Sequence, residues 1–233
     1  MPDPTVGILM LKTAFPRPPG DIGNPDTWPF PVRYAVVEPA TVARVVNRTP
    51  PIDLLLEPFV EAGARLVAAG CAALTTSCGF LSVFQASLAE RLGVPVVTSS
   101  LMQVPMVQAG LAPGRRVGVI SIDAGALSPR HLAAAGVPED VPLVGTETGA
   151  ELTRVIAGDL DTLDTAAAEA DVLAAGDALV ARWPEVGAVV LECTNMAPYA
   201  RALEAHLGLA VYDIVGLVSW LHGGLAPRSF GGG

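Results

Sequence analysis

Ala72-Ala73-Leu74-Thr75-Thr76-Ser77-Cys78-Gly79-Phe80 is an apolar run of strand length that stops abruptly in hydroxyl residues, a cysteine and a glycine. Leu81 to Leu92 then carries apolar residues at helical spacing. Strand, short polar turn and helix is the unit that presents a side chain at the carboxyl end of a parallel strand. A thiol there faces the positive end of the following helix, which favours thiolate over thiol. The same phrase returns as Val189-Val190-Leu191-Glu192-Cys193-Thr194-Asn195-Met196.

Working outward from these two stretches, the chain reads as a repeat. Thr5 to Leu11 is a buried strand, and Val117-Gly118-Val119-Ile120 echoes its Val6-Gly7-Ile8-Leu9. Tyr34 to Val37 is a second strand, echoed by Leu143 to Glu147. Asp53 to Ala69 is an amphipathic helix, and Leu152 to Trp183 a long helical stretch broken near Gly158 to Asp164. From Cys78 to the Leu92-Gly93 turn is as far along the chain as from Cys193 to Leu207-Gly208, and each turn leads into a last strand. Two similar α/β halves follow, each with a cysteine at the end of its third strand, and a pseudo-twofold axis would point the thiols at one another across a cleft. The segment from Pro16 to Pro31 holds six prolines. It is a long loop, the length at which a connection is functional or flexible. The glycine-rich tail from Ser229 to Gly233 is expected to fray.

Composition sets the outer bounds. The 233 residues suffice for one large domain or two small lobes, and their Ala, Val, Leu and Gly content suits buried parallel sheets. No apolar run reaches membrane-spanning length, so no membrane partner is expected. Met1 to Phe15 lacks a basic start and a cleavage site, which reads as cytoplasmic. A net charge of −9 argues against nucleic acid as a partner. The three cysteines have neither a disulfide framework nor metal-ligand spacing, so neither metal nor cofactor is expected. Lys12, the only lysine, is the sole residue that a pyridoxal Schiff base could use. Cys71, without a counterpart in the second half, reads as a buried structural thiol. His131, His206 and His222 read as surface or capping residues, and Glu192 as pointing away from Cys193. Asp213 and Glu147 end strands, where they would either tune a thiol or cap a helix.

Two opposed thiols are suited to proton transfer at a carbon beside a carboxylate. One removes the α-proton as thiolate and the other returns a proton to the opposite face, with roles reversed for the other enantiomer. The enediolate formed on the way needs fixed donors. The amides of Gly79 and Thr194 and the side chains of Thr75, Thr76, Ser77 and Asn195 are the candidates, although strand alternation lets only one of the two threonines face the cleft.

Thr76-Ser77-Cys78-Gly79 and Glu192-Cys193-Thr194-Asn195 resemble the two cysteine motifs of the aspartate/glutamate/hydantoin racemase superfamily, over nearly the whole length. The resemblance implies a cofactor-independent enzyme of two pseudo-symmetric three-layer α/β lobes, each with a mostly parallel four-stranded sheet. Cys78 and Cys193 would flank the substrate in the cleft between them. It implies a first lobe of residues 1–98 plus 215–233 and a second of 99–214, with the last helix packed on the first lobe. The Gly20 to Pro31 loop, with Asn24, resembles the part that closes over substrate. Gly79-Phe80-Leu81 stands where amino-acid racemases carry Asn-Thr and a small residue, and Asn195 where they carry Glu. With Phe80 and Phe84, this points to a more apolar pocket, nearer the hydantoin racemase, maleate isomerase and arylmalonate decarboxylase branches. The expected activity is racemisation or epimerisation of a small carboxylate or hydantoin by a homo-oligomer, a dimer or higher. Decarboxylation, cis–trans isomerisation or simple binding of a small anion stand as alternatives.

Overall fold

A computed structural model describes residues 3–46 and 52–227. The glycine-rich tail lies outside the described residues. Among the described residues, eight strands form two four-stranded sheets. The first contains β1 (Thr5–Leu11), β2 (Val32–Val37), β3 (Cys71–Thr76) and β4 (Val96–Val97), in the order β2-β1-β3-β4. The second contains β5 (Arg116–Ser121), β6 (Leu143–Gly145), β7 (Val186–Leu191) and β8 (Ala210–Tyr212), in the order β6-β5-β7-β8. Every pairing is parallel. The duplication extends to irregularities: the register of β1 on β3 slips between Thr5 and Val6, and that of β5 on β7 between Arg116 and Val117. These are the same positions of the repeat. The two-lobed α/β architecture expected from the cysteine phrases is the one found.

Continuous apolar sequence in the central strands reflects burial on both faces. In β1, Leu9 and Leu11 join Leu74, Phe59 and Leu66, under the helix Leu56–Ala68. Val6, Ile8 and Met10 point the other way and meet Ile214, Leu217, Val218 and Leu221 of the last helix, Ile214–Leu225. That alternation is the period of two that a strand imposes. The last helix of the chain therefore covers the first sheet. Gly7 and Gly118, the repeated glycines, have a helix leucine against them, Leu66 and Leu179 respectively, and Gly7 also has Leu74 of β3. A side chain at either would force these leucines to move.

Local structure differs from expectation at the helix starts. The stretch after Cys78 begins as a 3₁₀ segment, Gly79–Phe84, and becomes α-helical only over Gln85–Leu92. After Cys193 the sequence Ala197–Tyr199 is likewise 3₁₀, ahead of the α-helix Ala200–Leu207. Both α-helices stop at a left-handed glycine, Gly93 (φ 68°) and Gly208 (φ 64°), the usual helix terminator. The break in the long helical stretch falls at Asp159, which is also left-handed (φ 48°). No helix of the described residues is long and apolar enough to cross a membrane.

Candidate active site

Both cysteines sit one residue beyond the ladder of a central strand. The amide of Ser77 donates to Leu9 O (2.9 Å) and that of Glu192 to Ile120 O (2.8 Å), so each sheet carries its chain to the residue before the thiol. The chain then leaves the sheet, and Cys78 and Cys193 face one enclosed pocket. Both are nearly buried, at 9% and 7% exposure.

Of the residues expected at the site, Ser77, Cys78, Gly79, Phe80, Cys193, Thr194 and Asn195 line this pocket. The two motifs are tied directly: Thr194 Oγ1 donates to Ser77 O at 2.7 Å. Ser100, at the end of the β4 strand–turn unit, donates to Leu191 O at 2.5 Å. Ser77 Oγ accepts from the Leu11 amide (2.9 Å), which fixes the hydroxyl at the strand end.

Thr75, Thr76 and Asn24 are not among the lining residues. Thr76 Oγ1 donates to Thr98 O (2.6 Å), holding β3 to the turn after β4. Thr75 is fully buried with its hydroxyl unpartnered. Both threonines belong to β3 itself, and the cleft opens only after the strand ends. Asn24 accepts from the Asp26 amide (2.9 Å) and donates to Arg17 O (2.8 Å), so it organises the turn that begins Pro25–Thr27.

The connection after β1 nonetheless closes the pocket, through Phe15 and, from the proline-rich loop that follows, Arg17. It is fastened to the second lobe at several points. Asp159 Oδ1 accepts from the Ala14 amide at 2.7 Å, and Gly20, with φ 96°, packs against Pro198. Asp21, 1% exposed, accepts from Arg17 Nη1 (2.8 Å), from the Gly23 amide (2.7 Å) and from Asn195 Nδ2 (2.6 Å). A carboxylate can only accept, so Asn195 must turn its amide nitrogen to Asp21 and its oxygen to Cys193. The Cys193 thiol donates to that oxygen at 3.5 Å. Asp21→Asn would set an amide against donors on both sides. It is expected to cost about 3 kcal/mol or more, the scale for breaking a buried charge pair from one side. Urea unfolding measures this, with m-value as the check on compactness.

Glu192 is the residue that sequence reasoning misplaced. Expected to point away from Cys193, it is 0% exposed and lines the same pocket as both thiols. Its Oε2 accepts from Ser121 Oγ at 2.8 Å, while Oε1 has no partner. A Cβ built on Gly79 would overlap that Oε1. Gly79 is thus required for the room it leaves, and the absence of a side chain there was the only available signal. Burial pushes the Glu192 carboxyl up to about 7, against the opposing hydrogen bonds of Ser121 and the Ile122 backbone.

The expectation of a helix terminus favouring thiolate is also corrected. Burial, and next the Glu192 carboxyl, push both cysteine thiols well above the ordinary thiol range. The Phe80 amide opposes this at Cys78 only weakly, because a single 3₁₀ turn aligns few peptide dipoles. Both resting thiols are protonated. The enclosed space is about 20 Å³, room for roughly one water. A substrate of several heavy atoms therefore enters only when the loop or the lobes give way.

Comparison with known proteins agrees with this architecture. The Asp/Glu/Hydantoin racemase family model matches residues 100–221. Dimethylsulfoniopropionate lyase 5 of Emiliania huxleyi (strain CCMP1516) is 30% identical over 228 residues, covering 94% of this chain. A dimethylsulfoniopropionate lyase of Durusdinium sp. clade D is 27% identical over 219 residues, covering 91% of it. The match spans 45% of the first relative's length and 71% of the second's. Among solved structures, a doubly substituted arylmalonate decarboxylase in liganded form superposes with a TM-score of 0.64 at 18% identity. That match covers 97% of this chain and 94% of the other. With the matched model spanning more than half of its length, the chain belongs to the Asp/Glu/hydantoin racemase family.

Proposed function

We propose that this protein is a lyase that removes the α-proton of a small carboxylate and expels a β-sulfonium group, with dimethylsulfoniopropionate as the substrate. The observation that carries the reading is the pair Cys78 and Cys193 in one closed pocket, in a chain whose relatives over more than nine-tenths of its length are lyases of that compound.

The roles differ between the thiols. Cys193 is held as a hydrogen-bond donor by the Asn195 oxygen, which Asp21 orients. Each thiol has a backbone amide favouring its anion, that of Phe80 at Cys78 and that of Asn195 at Cys193, but the Arg17 charge helps the anion only at Cys78, while the Asp21 charge opposes it at Cys193, so Cys78 is the base. Its thiolate takes a proton from C2 of the substrate. The C2–H electron pair becomes the C2–C3 double bond, and the C3–S bond breaks with its electrons staying on sulfur. Acrylate and neutral dimethyl sulfide leave, and the proton passes from Cys78 to solvent. Developing negative charge on the substrate carboxylate meets the amides of Gly79 and Thr194 and the Cys193 thiol. Apolar walls from Leu11, Phe15, Val42 and Ile156 suit the two methyl groups.

Racemisation is the second reading, favoured by the second thiol, which elimination does not require as a base. Both reactions begin with the same α-carbanion. A β-leaving group decides between elimination and return of the proton.

Proton NMR in deuterated water separates these. Dimethylsulfoniopropionate is expected to yield acrylate and dimethyl sulfide. Unchanged dimethylsulfoniopropionate, with inversion and α-deuteration of a 2-amino acid or 5-substituted hydantoin, would replace the lyase by a racemase. Release of carbon dioxide from an aryl malonate, or isomerisation of maleate, would point to those branches. If every compound survives while one raises the melting temperature, the protein is a binding protein.

A further inference from the structure

The Glu192 carboxyl is an unusual wall for a pocket that takes an anion. It is fully buried, and among the described residues Oε1 has no hydrogen-bond partner and no side-chain cation is paired with it. The nearby guanidinium is committed elsewhere: Arg17 Nη1 holds Asp21 at 2.8 Å and Nη2 donates to Thr13 Oγ1 at 2.9 Å. Burying a carboxylate without a counter-charge is costly, and a substrate carboxylate brought alongside would add repulsion. A substrate that carries its own positive charge removes both penalties.

We propose that Glu192 is the counter-ion for the cationic head of a zwitterionic substrate, and hence the residue that selects β-onium carboxylates over plain carboxylates. This deepens the lyase reading and rests on its substrate class. The surroundings fit a methylated onium centre better than an ammonium. Glu192 leaves Oε1 unpartnered while Ser121 holds Oε2, and the neighbouring side chains of Ile122, Val42 and Phe80 carry no hydrogen-bonding group. A dimethylsulfonium group needs none, only apolar contact and a nearby negative charge. The position also serves the chemistry. The Glu192 charge is one of the two main influences holding both thiols protonated. An onium group against Glu192 offsets that charge, so the substrate that should react makes the Cys78 thiolate accessible by binding.

The test uses two non-identical charges on one shape. 3-(Trimethylammonio)propionate has a cationic head and a poor leaving group; 4,4-dimethylpentanoate replaces its nitrogen by carbon. Dissociation constants are measured calorimetrically at pH 8, where Glu192 is mostly ionised, for wild type, Glu192→Gln and Glu192→Asp. Wild type should prefer the zwitterion by about 30-fold or more, the scale of a close charge pair in a desolvated site. Glu192→Gln keeps the shape over Gly79 and should erase the preference, losing affinity for the zwitterion and gaining it for the neutral-headed acid. Glu192→Asp should keep the direction of the preference. Equal weakening of both ligands by Glu192→Gln means a structural role and overturns the proposal. So does an unchanged ratio, or a wild-type protein that prefers the neutral head or binds neither compound. Elimination of dimethylsulfoniopropionate with an unmoved ratio would sink this inference and leave the lyase reading. A Glu192-dependent ratio without elimination would do the reverse.

Discussion

Cys78→Ser is expected to lower kcat/KM for dimethylsulfoniopropionate by about a thousandfold or more, within the range that positioned acid–base groups contribute, with little change in stability. Serine nearly matches cysteine in shape, so the pocket keeps its walls, but its hydroxyl is a far weaker acid and supplies almost no anion. Cys193→Ser should fall less steeply in elimination, because a hydroxyl can still donate to Asn195 or to the substrate carboxylate. In racemisation of a chiral acid both variants should fail equally, since each face needs its own proton carrier. Equal and near-complete loss of elimination in both variants would contradict the assignment of Cys78 as the base. Near-normal activity of Cys78→Ser would remove the thiol mechanism altogether.

The pH profile follows from the same groups. Burial and Glu192 push the Cys78 thiol up, so in the free enzyme the thiolate fraction grows with rising pH throughout the neutral range. With substrate in excess, an onium head against Glu192 lowers that barrier. The profile of kcat should then lie at lower pH than the profile of kcat/KM. Stopped-flow or gas-phase detection of dimethyl sulfide across pH 6 to 10 measures both.

The cysteine phrases carry the fold because they mark the one place where a buried parallel strand must stop. Apolar burial on both faces makes the strands continuous in sequence, and the change to Ser77-Cys78-Gly79 or Glu192-Cys193-Thr194 signals the exit from the sheet. Repetition of Val6-Gly7 at Val117-Gly118 has a packing cause, the close approach of Leu66 and Leu179. Site detail is less legible. Thr75 and Thr76 have the composition of a binding motif, yet they belong to the strand itself, Thr76 bonded to Thr98 O and Thr75 fully buried. Asn24 has the composition of a lid contact and is spent on its own turn. Helical periodicity after Cys78 does not distinguish 3₁₀ from α over one or two turns, so periodicity alone overstates the electrostatics of the helix start. Glu192 is the reverse case. Alternation along β7 sets its backbone direction, but a long side chain beyond the strand end bends to wherever there is room, and Gly79, distant in sequence, provides it.

That room makes Gly79→Ala the substitution with the largest expected structural effect at the site. The added methyl carbon would lie 2.5 Å from Glu192 O and 2.9 Å from its Cδ, besides overlapping Oε1. Carbon atoms do not approach so closely, and the obstacle is partly backbone, so rotation of the carboxyl alone does not relieve it. Glu192 N is fixed to Ile120 O at 2.8 Å and Glu192 O receives Ser100 Oγ at 3.2 Å. The two lobes must therefore move apart at the bridge from Thr194 to Ser77, or the turn after Cys78 must shift. Overpacking of this kind costs about 1–3 kcal/mol, and displacement of Cys78 relative to Cys193 should reduce kcat/KM by about a hundredfold, the penalty of misplacing a reacting group by roughly 1 Å. Truncating the carboxyl as well, in Gly79→Ala/Glu192→Ala, removes the side-chain overlap but not that with Glu192 O. The double variant should recover only part of the lost stability, with a coupling energy of about 0.5 kcal/mol or more. Urea unfolding of the two single variants and the double closes the cycle. Strict additivity would mean that Gly79 and Glu192 do not meet, and Gly79→Ala with wild-type stability and activity would refute the packing of the two motifs against each other.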